Sequence, residues 1–528
     1  MEIEGLWLIL LAVTLLAGIL SGAQVMFVLS GVPLLVALIG SLFGHFDMAF
    51  IGAYPQRVFG VMNNTLLIAV PMFILMGLLL ESSRLAENML KSLGALMGGS
   101  PSMMALSVLF VSALIAASTG IIGATIVMLT LISLPSLVGA GVSKKTSTGL
   151  ICAAGTLGQI IPPSIVLVLL GDQISSAYID AQREIGNFAP DPISVGDLFA
   201  GALIPGLVLV TLYGVYVLFV IGTSKGSKDE EIVLKAPVQM PAESATVMNL
   251  IGQILPPVTL IIVVLGSILM GVATPTEAAV VGVAGTILLS AFYLEPANRR
   301  ATRVIVIASA ASALILVVMS SYGLTRFHLS GGLSLNALLT ALLTTVFAGG
   351  LLYSISRLFK KGVMVPALSA TVRISGMVFG IVLASSMLSL VFRGFGGDDL
   401  VHELLTGLPG GQWTMLAVVM LVIFLLGFIL EFVEIVFIVI PIVGPVLLQS
   451  DIDPVWFAIL VALNLQTSFL TPPFGFALFY FRSVAPPEIT TRDIYLSIIP
   501  FVAIQILTIG IIATFPALAT WLPHLLFG

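Results

Sequence analysis

The sequence predicts an all-α polytopic membrane protein of about 12 spans plus two re-entrant helical hairpins, arranged as two inverted halves. Three observations carry that prediction. The 528 residues are 59% hydrophobic and only 9% charged, with a mean hydropathy of +1.19, against about 25% charged residues in a soluble globular chain. Many apolar runs reach the ~20 residues that cross a bilayer. Helix-breaking motifs recur at a fixed offset of 310 residues, Pro162 and Pro163 as Pro472 and Pro473, and Pro135 as Pro445.

Full spans are expected near 5–22, 24–44, 62–81, 146–172, 196–222, 248–270, 276–293, 303–322, 334–357, 365–392, 455–482 and 493–519. Met1–Gly5 holds two glutamates and no basic residue, so the first run reads as a retained helix rather than a cleaved leader. Two further stretches, 101–140 and 413–449, are too long for one span, yet have no polar loop at the centre. The first is interrupted at Ser118, Thr119 and Gly120, the second at Gly427 and around Glu431 and Glu434. Both are read as hairpins that enter and leave on one side. Amphipathic arms at 85–98 and 396–408 precede them.

The basic residues fix the sidedness. With the hairpins re-entrant and the amino terminus outside, 16 of the 20 Lys and Arg fall at the cytoplasmic face; Arg57, Arg183, Arg326 and Arg393 fall outside. Both termini are then periplasmic. Reading either stretch as a single span destroys this asymmetry, whereas a plain pair of full spans would preserve it. The segment 223–247 is the only long polar connection, a cytoplasmic linker between a first repeat (1–222) and a second (248–528). The pair of spans in 303–357 interrupts the second repeat, and being a pair it leaves the downstream topology unchanged.

Paired broken spans in inverted halves point to a secondary transporter that binds its solute at the breaks. The first break reads AAGTLGQIIPPS (153–164), the second NLQTSFLTPPFG (464–475). A proline lacks an amide and leaves a carbonyl one turn earlier unpaired. At membrane depth such carbonyls persist only where they line a cavity or meet other partners. Neighbouring hydroxyls complete an oxygen shell suited to a hard cation such as Na⁺, and the amino end of the next half-helix favours an anion. Glu431 and Glu434 are ionisable groups inside a membrane segment, three apart and on one helical face, and so are candidates for cation or proton handling. Thr274–Glu277 suits a helix start with Thr274 as cap. Arg373 and Arg393 bracket a span and read as interface anchors, with contact to an anionic solute as the alternative. One cysteine, Cys152, excludes an internal disulfide, and four scattered histidines offer no metal-ligand spacing.

The stretches AGTLGQIIPPS, TPTEAA (274–279) and NLQTSFLTPPFG, with the preceding hairpin, resemble the large membrane (permease) subunit of tripartite ATP-independent periplasmic (TRAP) transporters, the DctM-like family. The resemblance covers nearly the whole chain except about 300–360. It implies an elevator-type fold of the ion transporter superfamily, in the bacterial inner membrane. It implies Na⁺-coupled uptake of an organic anion, usually a carboxylate, with no covalent catalysis, no cofactor beyond Na⁺ as coupling ion, and no nucleic-acid partner. It implies a periplasmic solute-binding protein and a small membrane subunit of about four spans. A stand-alone divalent-anion or citrate-type carrier of the same superfamily is the alternative. By resemblance, one Na⁺ site would draw on Ser118, Gly120, Gly155, Thr156 and Gly158, the other on Asn464, Thr467, Ser468 and Thr471. The solute would meet Thr119, Gln159, Pro162, Pro163, Ser164, Glu431, Glu434, Pro472, Pro473 and Gly475. The first tip, AASTGIIGAT (116–125), departs from the family pattern in lacking an acid.

Overall fold

A computed structural model describes residues 2–83, 85–96, 100–120, 122–223, 247–294, 300–322, 335–473 and 475–528. The linker 224–246 and most of the connection between the two extra spans therefore lie outside the described residues, as do Arg326 and the side chains of Ser118 and Thr119.

The first part of the chain forms α1 (Glu2–Leu20), α2 (Val25–Leu42), the short α3 (Tyr54–Met62), α4 (Ala69–Ser82) and the arm α5 (Leu85–Leu96). A helix–turn–helix pair follows, α6 (Pro101–Thr119) and α7 (Ile122–Gly139). The first broken span comes next, α8 (Lys144–Gly155), a 3₁₀ turn at Thr156–Gln159 and α9 (Ile165–Glu184), and then α10 (Val195–Thr223). Beyond the linker run α11 (Val247–Leu269), α12 (Pro275–Leu294), α13 (Arg300–Ser321), α14 (Leu335–Lys360) and α15 (Met364–Gly394). The arm α16 (Gly397–Thr406) leads to α17 (Gly411–Leu426), α18 (Phe432–Ile438) and α19 (Ile440–Leu447). The second broken span is α20 (Pro454–Leu470) and α21 (Phe476–Val484), followed by α22 (Thr491–Thr514) and α23 (Ala517–Phe527).

Among the described residues ten helices are long and apolar enough to cross a membrane. The expected breaks are present: α6 stops at Gly120, in the left-handed region at φ +57°, and α17 stops at Gly427. Thr274 caps α12 as expected, its Oγ1 accepting the Glu277 amide at 3.3 Å while Glu277 accepts the Thr274 amide at 2.8 Å. Three details differ from the sequence reading. The span 493–519 ends at Thr514, because Phe515–Pro516 turns the chain before α23. The second hairpin's return arm is two helices meeting at Val439, just ahead of Pro441, which lacks an amide for the helical ladder. A 3₁₀ turn at Met48–Ala53 and α3, both absent from the sequence reading, fill the approach to α4.

Two groups of helices emerge from the packing. The helix α4 lies against α12 and α15, and α15 against α2, with α1 beside α2. In the other group the broken spans pack together and against the hairpin arms: α7 on α8 and α21, α9 on α19, α20 on α9 and α17. The helices α10 and α22 lean on α6, α8, α9 and α20. The extra pair, α13 and α14, is joined by close approach of small residues, with a Cβ added to Gly350 falling 2.5 Å from Ser309 Cβ. It rests on α12 through a small apolar cluster of Leu288, Ala291 and Val306. Large apolar side chains such as Leu6, Ile9, Val304 and Ile307 face outward, as lipid contact requires.

Candidate functional site

The first break converges on the end of α6. Gly158 lies so close that an added Cβ would stand 3.2 Å from the Ala116 carbonyl and 3.6 Å from Gly120 Cα. A Cβ on Gly120 would be 3.2 Å from the Ile165 amide nitrogen, so the hairpin tip sits on the amino end of α9. Gly155 seats equally tightly against Ile126. The Pro162–Pro163 peptide is cis. Thr156 Oγ1 donates to the Ala153 carbonyl at 2.8 Å, and Ser164 Oγ donates to the Gln159 carbonyl at 3.1 Å. The Gln159 side chain is fully buried, and among the described residues neither amide atom has a hydrogen-bond partner. A buried amide without partners costs about 1–3 kcal/mol per group.

The second break repeats the arrangement with different residues. Gly427, at the end of α17, approaches Ser468 until an added Cβ would meet Ser468 Oγ at 2.1 Å. The hydroxyls of Thr467, Ser468 and Thr471 donate to the carbonyls of Leu463, Leu465 and Thr467 at 2.7, 2.9 and 2.7 Å. Each hydroxyl hydrogen is thus committed to its own helix, which leaves the oxygen lone pairs for a cation. Asn464 Nδ2 donates to the Met420 carbonyl at 2.7 Å and ties α20 to α17. The Pro472–Pro473 peptide is also cis, and Tyr495 donates its hydroxyl to the Pro473 carbonyl at 3.1 Å. Gly475 lets the chain fold back over the Phe469 and Thr471 carbonyls, 2.7 and 3.0 Å from where its Cβ would be.

The breaks touch. Gln466 Nε2 donates to Thr156 Oγ1 at 3.2 Å, a contact between positions separated by the same 310 residues. Both hairpin tips also share one cavity of about 290 Å³. Gly120, Ile122 and Gly123 line it from one tip, and Glu431, Phe432 and Val433 from the other. Ile165, Phe469, Phe476 and Tyr480 close it, and Ile374, Met377 and Val378 of α15 form the facing wall. Of the residues expected at the site, Gly120 and Glu431 reach this cavity, while Thr156, Gln159, Ser164, Asn464, Thr467 and Ser468 are buried and do not line it. Glu431 and Glu434 do not share a face as their spacing suggested. Glu431 is the residue before α18, in extended backbone, and the buried Glu434 folds back to accept its amide at 3.1 Å.

A second cavity, about 330 Å³, lies further along α15, between that helix, α3, α9 and α19. Arg57, Arg393, Asn64, Asp172 and Asp180 line it, with Ser385, Ser386 and Ser389. Arg393 Nε pairs with Asp398 Oδ2 at 2.8 Å. Burial raises the Asp398 carboxyl above its ordinary range, opposed by Arg393. Asp172 accepts from Asn64 and Gln173 at 2.9 and 3.0 Å. Sequence reasoning weighed Arg393 as an interface anchor or a partner of an anionic solute, and gave Arg57 no role. The two sit 336 residues apart in the chain, and no local pattern joins them.

Comparison with known proteins agrees with this architecture. Residues 8–518 match the family described as tripartite ATP-independent periplasmic transporter, DctM component. The C4-dicarboxylate TRAP transporter large permease protein DctM of Vibrio cholerae is 26% identical, over 94% of this chain and 95% of that one. The sialic acid TRAP transporter large permease protein SiaM of the same organism is 23% identical over 90% of each. The isethionate TRAP transporter permease protein DctMQ of Oleidesulfovibrio alaskensis is 25% identical over 95% of this chain and 65% of that one. Among solved structures, the Alcanivorax borkumensis YdaH transporter superposes with a TM-score of 0.52 at 12% identity, over 89% of each chain, a likeness of fold alone. The chain belongs to the DctM family, the large permease component of TRAP transporters: a multi-pass membrane protein that moves a solute and is not an enzyme.

Proposed function

We propose that this permease takes up an organic anion, a carboxylate, together with Na⁺, receiving it from a periplasmic binding protein and working beside a small membrane subunit of about four spans in the bacterial inner membrane. The paired breaks carry the reading. Two unwound, proline-interrupted segments, 310 residues apart, each lie against a hairpin tip and touch each other through Thr156 and Gln466. Their hydroxyl and carbonyl oxygens suit a hard cation. Between the tips, the amino end of α9 offers amide donors to a carboxylate. The two segments 1–222 and 248–528 are read as inverted repeats. The hairpins with their broken spans would form the body that carries the solute past α2, α4, α12 and α15, as an elevator.

In this reading Na⁺ binds first, neutralises the oxygen dipoles of the breaks and leaves the amide donors free for the anion. The apolar lining of the 290 Å³ cavity, Ile165, Phe469 and Phe476 among others, would hold the body of the solute. The permease, co-reconstituted with its small subunit and supplied with loaded binding protein, should accumulate solute when Na⁺ is outside. Uptake should fall to the protein-free background when K⁺ replaces Na⁺. Equal uptake in the two salts would refute the coupling.

A further inference from the structure

We propose that the outer cavity is a second anion site, a Na⁺-independent loading site in which Arg57 holds a carboxylate before it reaches the hairpin tips. The inference rests on the organic-anion reading above. The helix α15 begins at Met364, beside Lys360 and Lys361, and spans about 45 Å before Arg393. The outer cavity is therefore at the membrane face away from those lysines, the face that the charge distribution makes periplasmic. Val378 lines the inner cavity and Val382, one helical turn on, the outer one. The two lie in series along one helix.

Most polar groups of the outer cavity have partners within the fold. Asp172 is satisfied by two amides, Arg393 is held by Asp398, and Asp180 has Arg183 at 3.9 Å. Ser385 and Ser386 donate to the Val382 carbonyl. Arg57 is half-buried and, among the described residues, has neither a hydrogen-bond acceptor nor a carboxylate within salt-bridge distance. Burial, and then the like charge of Arg393, weaken its hold on its proton, partly offset by the more distant Asp180 and Asp398 carboxylates. Its planar fork matches a carboxylate, and five donors without an acceptor are unsatisfied until one arrives. The recess is walled by helices from both packing groups and is large enough for a small organic anion. That favours a free solute over a side chain of a docked protein.

Phenylglyoxal, which modifies arginine, tests this on the intact permease in lipid nanodiscs, with the Arg57 peptide followed by mass spectrometry. Acetate, succinate or benzoate should slow Arg57 modification severalfold where chloride does not, equally in Na⁺ and in K⁺. The protection should persist in a Ser468→Ala variant, whose lesion is at the inner site. Arg57 modified at one rate with and without the carboxylates overturns the proposal. So does protection that appears only when the binding protein is added, which would make Arg57 a protein contact. Failure of Na⁺ coupling would show as equal uptake in Na⁺ and K⁺ with this protection intact, so the two readings fail separately.

Discussion

Gly149→Val should leave no folded permease to assay. Gly149 lies in α8, where the helix crosses α22 with no side chain between them. An added Cβ would fall 2.3 Å from the Ser497 carbonyl oxygen and 2.7 Å from the Phe501 ring. The nearer obstacle is backbone, and no rotamer change relieves it; α8 and α22 would have to part. Overpacking costs about 1–3 kcal/mol for added methylenes in ordinary cores, and valine adds more than one carbon against a rigid wall. Gly149→Ala should lower the melting temperature clearly, and the valine variant should abolish monodisperse protein in detergent. Gly510→Ala on α22 is the control, since its Cβ would meet nothing within 4 Å. There the helix gains about 0.8–1.0 kcal/mol of intrinsic propensity. Equal yields of the Gly149→Val and Gly510→Ala variants would contradict the packing.

The second large effect is on ion dependence. Gly427→Ala would drive a methyl into Ser468, 2.1 Å from its Oγ and 2.7 Å from its Cβ. Ser468 is fully buried, so its hydroxyl must swing away from its bond to the Leu465 carbonyl. If Ser468 is a Na⁺ ligand, the half-saturating Na⁺ concentration of uptake should rise about tenfold, the equivalent of losing ~1.4 kcal/mol, within the range of one hydrogen-bonding group. Gly427→Ala combined with Ser468→Gly restores the space but not the oxygen. Its melting temperature should recover towards wild type while its Na⁺ dependence stays weak. A single variant with normal Na⁺ dependence would remove Ser468 from the ion site.

The features legible in the sequence were those encoded within a helical turn or two of themselves. Proline pairs, glycine stops at 120 and 427, and the Thr274 cap each act on their own backbone, and each sits where the pattern placed it. What escaped notice was made by distant segments meeting. Arg57 and Arg393 share a cavity only because α3 and α15 are neighbours. Glu431 and Glu434 looked like a helical face because their spacing is three, but the helix begins between them, and the same spacing serves an end cap. The fold of α10 and α22 onto the broken spans was equally hidden, since a helix apolar on all sides announces no preferred neighbour.

The hydrogen bond from Gln466 to Thr156 has a thermodynamic consequence. It joins the two segments from which the proposed ion sites are built, so on that proposal filling one site would alter the geometry presented by the other. Sites joined in this way typically differ by 1–3 kcal/mol in affinity according to the occupancy of their partner, and the effect is reciprocal. A steep Na⁺ titration of this permease would then report linkage across that bond as well as the number of ions carried. Counting ions would require a measurement of charge moved per solute rather than a Hill slope.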